Sequence, residues 1–232
     1  MEAEKFYDDV TQEILNIILD IPLLHEFDKL NINQLQLFFI QFYHLVRTFP
    51  QYLGALIWQS PDEAIRLAIV DNLVDECGGI MRIEQGEISD AHPIIYRRVT
   101  RALGINDQEL ASVPPRHYTQ RMLDELKKLF IFSPFIQAFG GMAPGIESIS
   151  STWIDVIQNG LKKKNILTRD DLLYFELHTV VDMKHSGLFR NAIIPYLNTE
   201  TSRKLLRDGA LIMVNAQKWL FDGIAKDFSS PY

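Results

Sequence analysis

Residues 172–185 carry the strongest structural signal in the chain and read Leu-Leu-Tyr-Phe-Glu-Leu-His-Thr-Val-Val-Asp-Met-Lys-His. Apolar side chains occur at almost every angle around a helix in this stretch, which indicates a helix that is buried on most sides. A polar group inside such a helix is costly unless it has a partner. We therefore predict a central helix whose few polar side chains serve a specific purpose.

Three of these polar side chains share one helix face. At about 100° per residue, Asp182 falls roughly 40° from His178, and His185 falls roughly 20° to the other side. Two imidazoles and a carboxylate are ligands that suit non-haem iron and related first-row metals. The alternative interpretation is a solvated polar stripe, or two core histidines with the aspartate as partner. The apolar flanks argue against a solvated stripe, and the cost of burying the trio without a cation argues against the core interpretation.

Helical periodicity covers nearly the whole sequence, and alternating strand-like runs bounded by turns are missing. We predict an all-α protein that forms a single domain over residues 1–232, because no repeat, linker or low-complexity tract divides it. The helices are expected at about residues 4–19, 34–58, 61–76, 92–104, 117–132, 134–140, 144–163, 171–187 and 199–228.

Capping residues predict several of these boundaries. Asn33 is a good cap for the second helix, and Ser60 opens a capping box with a proline at the first helical position. A second capping box precedes the central helix. The pair Gly140-Gly141 and the single Gly187 are predicted to end their helices.

Charge and composition exclude several classes of function. The formal net charge of −7 argues against nucleic acid as a main partner. Cys77 is the single cysteine, and the first residues lack the apolar core of a signal peptide, so a cytoplasmic protein is expected. No apolar run approaches the roughly 20 residues of a membrane span, so no membrane association is expected. Apolar residues of the last helix, around Trp219, Leu220 and Phe221, either pair two subunits as a homodimer or pack inward.

A single helix rarely completes a metal site, so acidic residues on other apolar helices are the next candidates. Glu76 ends the pattern Asp71-Asn-Leu-Val-Asp75-Glu76, and Glu147 lies just inside a helix that Pro144 opens. Each alone is more often a capping or solvated glutamate, and for Glu147 the dipole of the helix N-terminus explains the acid without a metal. His92 is a further candidate, although Asp90-Ala-His92-Pro93 also fits a simple helix entry.

Taken in order, Glu76, His92, Glu147 and the motif His178-x3-Asp182-x2-His185 resemble the haem-oxygenase-like di-iron oxidases and oxygenases. The likeness extends over most of the chain and points to the branch of the chlamydial protein associating with death domains (CADD-like). Further strings that carry it are Leu23-Leu24-His25-Glu26-Phe27, Gln41-Phe42-Tyr43-His44, Asn72-Leu73-x-Asp75-Glu76-x-Gly78, and His92-Pro93 leading to Ala102-Leu103-Gly104.

This resemblance implies a seven-helix up-down bundle of the haem-oxygenase-like (TenA/PqqC-like) fold. It implies two iron ions as Fe²⁺, with manganese as the alternative metal, and all six motif residues as ligands. It also implies an iron-dependent oxidoreductase that activates O₂ to oxidise a small organic substrate. Tyr43 and Tyr174 are the tyrosines expected near the metals, and they become the candidate catalytic residues.

Three departures from the chlamydial pattern bear on these expectations. The segment between Glu76 and His92 is several residues longer, so Glu84 or Glu87 are alternatives to His92 as a ligand. The chlamydial relatives are thought to consume one of their own tyrosines, and this chain has Phe27-Asp28-Lys29 at that place. A lysine expected about ten residues after Glu147 is replaced by Val156-Ile157. An external substrate is therefore expected.

Three other functions stay open on the sequence. One is a self-sacrificing, CADD-like aminobenzoate synthase. Another is a TenA-like thiamin-related hydrolase, for which Cys77 is the candidate nucleophile, although a helix C-terminus would raise the pKa of its thiol. The third is a protein-interaction module with a vestigial metal site. Metal content separates that module from the enzymes, because a binding module has no reason to retain iron.

Overall fold

The computed structural model describes residues 2–79 and 91–228, apart from the side chains of residues 180–183. In these ranges the chain is helical and contains no β-strand, as predicted. Eleven α-helices lie in them: α1 (Glu2–Leu19), α2 (Pro22–His25), α3 (Ile32–Gln59), α4 (Glu63–Glu76), α5 (His92–Ala102), α6 (Asp107–Ser112), α7 (His117–Lys127), α8 (Phe135–Met142), α9 (Ser150–Lys164), α10 (Leu173–Ile193) and α11 (Glu200–Phe228).

The number of helices exceeds the seven of the expected bundle because short elements interrupt or connect the long ones. Three helices, α2, α6 and α8, have only four, six and eight residues. Two π-helical segments, Lys128–Phe132 and Ala143–Glu147, follow α7 and α8. Such segments are rare and often lie at functional sites, and the second of them ends on a candidate ligand.

Two predicted caps are wrong by a few residues. The cap of α3 is Asn31, whose side chain accepts a hydrogen bond from the Gln34 backbone at 3.0 Å, while the Gln34 side chain accepts one from the Asn31 backbone at 2.9 Å. Asn33 lies inside the first turn. The cap of α4 is Asp62, which accepts from the Ile65 backbone at 2.9 Å, and Ser60 ends the preceding helix.

The predicted helix ends at Gly140-Gly141 and Gly187 are also wrong. All three glycines lie inside helices, and α10 continues for six residues past Gly187. At the crossing of α8 and α11 the reason is steric. A Cβ atom on Gly140 would lie 2.1 Å from the Leu206 carbonyl oxygen, and one on Gly209 would lie 1.8 Å from the Gln137 carbonyl oxygen. Glycine is therefore required by the contact between two backbones rather than by a turn.

A cluster of aromatic side chains fills the centre of the bundle. Phe38 stacks on Phe42 and Phe221, with ring centroids 5.6 and 5.8 Å apart. Trp153 meets Phe42 edge to face at 5.9 Å, so α3, α9 and α11 share this core. Leu220 and Phe221 are fully buried, which shows that these two residues pack inward instead of offering a dimer surface. The predicted homodimer and the single domain over residues 1–232 stay predictions.

The central helix of the sequence pattern is α10. It packs against α4, α5, α9 and the segment Ala143–Glu147, so the elements that carry the candidate ligands surround it. In the part of the chain that the structure describes, no helix combines the length and the apolar character needed to cross a membrane.

Candidate metal centre

Glu76, His92 and His178 form a buried group that we call the inner cluster. Each offers one ligand atom, and these atoms all lie within 4.8 Å of one another. Their exposed fractions are only 6, 5 and 8 %. Glu76 is the last residue of α4, His92 is the first residue of α5, and His178 lies in the second turn of α10. Three separate helices therefore bring an acid and two imidazoles together inside the core.

Glu76 and His92 hold each other in opposite charge states. His92 Nδ1 lies 2.9 Å from Glu76 Oε1. Burial alone raises the pKa of Glu76, but attraction to His92 and their hydrogen bond overcome it and leave this pKa below its ordinary value. Burial alone lowers the pKa of His92, and the Glu76 carboxylate outweighs it, so this pKa is raised. Glu76 is then an anion in the core, where it needs positive charge.

His178 is held in a single tautomer. Its Nδ1 lies 2.7 Å from the Tyr174 carbonyl oxygen, which can only accept, so Nδ1–H donates and Nε2 carries the lone pair. Its ring centroid is 4.5 Å from that of His92. Burial, followed by repulsion from His92, lowers the pKa of His178 to about 4. A neutral imidazole with a backbone partner on its other nitrogen is the usual form of a metal-binding histidine.

Asp71, Asp75 and His185 form a second group, the outer cluster, whose ligand atoms also lie within 4.8 Å of one another. His185 is 2 % exposed, and its Nε2 lies 3.0 Å from Asp75 Oδ2. Burial lowers the pKa of His185, but the carboxylates of Glu147 and Asp75 on either side outweigh it and raise this pKa overall.

Glu147 connects the outer cluster with the interior. It ends the π-helical segment, is 5 % exposed, and places Oε2 3.6 Å from His185 Nδ1, beyond hydrogen-bond distance. That oxygen is buried and has no hydrogen-bond partner among the described residues. A buried carboxylate oxygen without a partner costs free energy, and a bound cation would remove the cost. The donor set and this oxygen together fit a first-row metal.

The structure thus brings four of the six predicted ligands into two clusters on α4, α5 and α10, and it places a fifth, Glu147 of the π-helical segment, beside His185. Glu147 also lines the same cavity as Glu76 and His178, so the two clusters are neighbours. The sixth, Asp182, lies in α10, but its side chain is outside the described residues. The alternatives Glu84 and Glu87 also fall outside them, in residues 80–90.

Asp71 and Asp75 were not predicted as site residues. The pattern Asp71-x3-Asp75-Glu76 contains the signal, since a spacing of four puts both aspartates on one face near the end of α4. The sequence does not show which way that face turns. In the structure it turns toward α10, and the Lys184 ammonium lies 2.7 Å from Asp71 Oδ2.

A cavity opens beside the inner cluster. Its polar lining includes Glu76, Glu147 and His178, and its apolar lining comes mainly from α3, α9 and the π-helical segment: Phe42, Leu45, Val46, Phe49, Ile146, Trp153 and Ile154. It encloses about 40 Å³ in which the centre of a water molecule can lie, enough for a few waters or a small apolar group. Trp153 Nε1 is buried without a hydrogen-bond partner among the described residues.

The two candidate tyrosines lie in different surroundings. Tyr174 lines the cavity, and its ring centroid is 4.1 Å from that of His178. Tyr43 does not belong to the cavity lining. Its hydroxyl oxygen accepts hydrogen bonds from Arg97 at 2.9 and 3.2 Å, so the phenol is tied to a cation away from the inner cluster. Of the two candidate tyrosines, Tyr174 alone therefore lines the cavity beside the inner cluster.

Two enzymes of known activity are similar in sequence. The chain is 25 % identical to 4-chloro-allylglycine synthase of Streptantibioticus cattleyicolor over 187 residues, which are 80 % of this chain and 68 % of that enzyme. It is 28 % identical to 4-aminobenzoate synthase of Chlamydia pneumoniae over 171 residues, which are 71 % of this chain and 72 % of that enzyme. These likenesses agree with the resemblance read from the motif residues.

A solved structure shows the fold. A domain of unknown function with a haem-oxygenase-like fold, from Shewanella denitrificans, superposes with a TM-score of 0.78 at 14 % identity, covering 97 % of this chain and 92 % of that one. The predicted all-α, haem-oxygenase-like fold is thereby confirmed. A family model described as iron-containing redox enzyme matches residues 36–218. The chain therefore belongs to the family of iron-containing redox enzymes.

Proposed function

We propose that this chain is a non-haem di-iron oxidase or oxygenase that uses O₂ to oxidise a small organic substrate. The observation that carries the proposal is the buried set of acids and imidazoles in which Glu147 Oε2 lacks a partner. Such a set is costly in an empty core and favourable around cations. Membership of an iron-containing redox family agrees with it.

The residues that would hold the two ions are the inner cluster, Glu147, His185 and, from the sequence motif, Asp182. Three acids and three imidazoles are more donors than one six-coordinate ion needs if substrate positions stay open. When bound, two ferrous ions supply the electrons that reduce dioxygen. Mn²⁺ takes similar ligands and is the alternative metal.

The protein contributes orientation and exclusion of water. The Tyr174 carbonyl fixes the His178 ring with Nε2 free, and the Glu76–His92 hydrogen bond keeps a proton on His92 beside an anion. The apolar walls from α3 and α9 limit the number of waters beside these groups. Trp153 Nε1 offers a donor to an acceptor atom of the substrate, because no described residue uses it.

A specific feature disfavours consumption of a tyrosine of this chain. The segment Phe27-Asp28-Lys29 stands where the chlamydial pattern has the consumed tyrosine, and its one aromatic residue, Phe27, is 1 % exposed and packs edge to face on Phe38 at 4.9 Å. At the place of the expected lysine, Ile157 is buried among apolar side chains. A phenol and an amine are therefore missing at these two positions, which favours an external substrate.

A self-sacrificing aminobenzoate synthase is the second candidate function. Its support is the likeness to a 4-aminobenzoate synthase and the position of Tyr174 against His178. The hydrolase alternative has less support, because burial and the neighbouring Glu76 raise the pKa of the Cys77 thiol. That residue is also not part of the cavity lining.

Anaerobic titration with Fe²⁺, followed by exposure to O₂, tests the proposal. We expect a stoichiometry of two ions per chain and oxygen uptake that depends on iron. A stoichiometry that stays below one ion at saturating iron would overturn the proposal and leave an interaction module as the better interpretation. Intact-mass and peptide spectrometry after the reaction separates the two enzymes. An unchanged chain mass supports an external substrate, whereas loss of a tyrosine side chain with release of an aminobenzoate supports self-sacrifice.

A further inference from the structure

His185 lies between two carboxylates, one at each ring nitrogen. Asp75 Oδ2 is 3.0 Å from Nε2, within hydrogen-bond distance, and Glu147 Oε2 is 3.6 Å from Nδ1, outside it. The ring is 2 % exposed, so it is shielded from bulk water. The two sides of the ring therefore differ: one has a hydrogen bond, and the other faces an oxygen without a partner.

The contact with Asp75 fixes the position of the ring proton. An ionised carboxylate can only accept, so Nε2–H donates to Asp75. In the neutral imidazole Nδ1 then carries the lone pair, and it faces the partnerless Glu147 oxygen. Two donor atoms that each lie about 2.1 Å from one ion are separated by about 3 to 4 Å, depending on the angle at the ion. The observed 3.6 Å falls in that range.

We propose that His185 binds its metal through Nδ1, shared with Glu147, and that Asp75 is the residue that positions this ring. This inference rests on the proposed function. The two histidines of α10 would then bind metal through different ring nitrogens, because His178 donates from Nδ1 to a carbonyl and keeps Nε2 for the metal. Asp75 touches no reacting atom and acts through His185, as carboxylates behind metal-binding histidines do.

Asp71 offers a matched comparison for Asp75. It lies one turn earlier on α4, and its Oδ2 is 3.9 Å from His185 Nε2, too far for a hydrogen bond. Its ion pair is instead with Lys184, at 2.7 Å. Changing either aspartate to asparagine removes one negative charge from α4, but only the change at residue 75 replaces the charged acceptor of the His185 hydrogen bond with a neutral amide.

The first experiment compares Asp75→Asn with Asp71→Asn in anaerobic Fe²⁺ titrations of the full chain, with the absorption spectrum of the Co²⁺-loaded protein as a second readout. Asp75→Asn should weaken the binding of one of the two ions by about 10- to 100-fold and shift the cobalt bands. Asp71→Asn should leave both the iron affinity and the cobalt spectrum nearly unchanged. Equal losses in the two variants would show that the outer cluster binds metal through Nε2, and no loss in Asp75→Asn would show that the carboxylate is dispensable. Either result overturns the inference.

The second experiment substitutes the ring itself and remains informative if an aspartate variant fails to fold. An asparagine places its amide near the position of Nδ1, whereas a glutamine reaches the position of Nε2. His185→Asn should therefore keep more affinity for the second ion than His185→Gln. The reverse order would overturn binding through Nδ1. A wild-type chain that takes up no metal would instead defeat the proposed function, so the two failures are distinguishable.

Discussion

His178 and His185 stand seven residues apart on one helix and nearly on one face, yet their surroundings differ in every respect that matters for chemistry. His178 meets a backbone carbonyl and the rings of Tyr174 and His92, and its pKa is lowered to about 4. His185 meets two carboxylates, and its pKa is raised. A carbonyl group of α10 itself decides which nitrogen of His178 holds the proton, whereas a carboxylate of the neighbouring α4 decides it for His185.

The comparison shows what a motif specifies. The spacing of His178 and His185 in α10 places them nearly on one face of the helix. The spacing does not determine the hydrogen-bond partner of each ring. For His178 the partner is a carbonyl in the preceding turn of α10, and for His185 it is a carboxylate of α4. Two identical residues in one motif therefore have different tasks. The inner cluster lies beside the aromatic cavity, whereas the outer cluster contains two acids of α4, Asp71 and Asp75.

The largest expected effect follows from removing the inner histidine. His178→Ala should reduce iron-dependent oxygen consumption by more than about 100-fold, since even the loss of a residue behind a ligand costs 10- to 100-fold. The fold should survive, because alanine favours the helix. Metal analysis and oxygen-electrode measurements check this. His117→Ala, at an exposed histidine, is the control. Wild-type iron binding and oxygen uptake in His178→Ala would mean that the inner cluster is structural.

A smaller effect, on stability both without and with iron, is expected for Glu147→Gln. The change removes a buried negative charge whose oxygen lacks a partner, so the metal-free protein should gain roughly 1 kcal/mol in free energy of unfolding. Iron should then stabilise the variant less than the wild type, because the ligand is weaker. Chemical denaturation with and without Fe²⁺ measures both changes. Glu26→Gln, on the surface, controls for charge. A metal-free variant less stable than the wild type would contradict the prediction.

The last prediction concerns a third histidine, which belongs to neither cluster. His44 is fully buried, and neither ring nitrogen makes a hydrogen bond to a described residue. Burial, followed by repulsion from Arg47, lowers the pKa of His44 to about 4. Because this pKa lies below the unfolded value near 6.5, protons favour the unfolded chain.

The stability that His44 contributes is therefore complete above about pH 6.5 and is lost as the pH falls toward 4, by roughly 1 to 3 kcal/mol. His44→Leu in the metal-free protein should have a smaller loss of stability between pH 7 and 4.5 than the wild type. Denaturant unfolding at several pH values measures the difference. Parallel pH profiles of variant and wild type would show that the acid sensitivity arises elsewhere, with His178 as the next candidate.

Much of this architecture could be predicted from local patterns. Periodicity gave the extents of α1 and α11 to within two residues, and the spacing in α10 selected two residues that the structure places in the clusters. The caps show where local patterns fail. Asn31 and Asn33 are equivalent as residue types, and the cap is decided by which backbone stays extended, at ψ of 173° for Asn31.

The remaining features depend on contacts between distant parts of the chain. Asp75 and His185 are 110 positions apart, and their hydrogen bond depends on the rotation of α4 about its own axis relative to α10. No periodicity in either segment encodes that rotation. A local pattern predicts a helix end at Gly140. It contains no information about the close approach of Leu206, which is what makes glycine necessary there.

That close approach has a consequence for how the protein tolerates change. The segment that carries Glu147 begins directly after α8, and α8 rests on α11 through Gly140 and Gly209. One added methyl group at residue 209 would overlap the Gln137 carbonyl oxygen and force the two helices apart. The position of the Glu147 carboxylate relative to His185 would then change as well. Residue 209 should therefore be as intolerant of substitution as a metal ligand, although it has no side chain to contribute to any reaction.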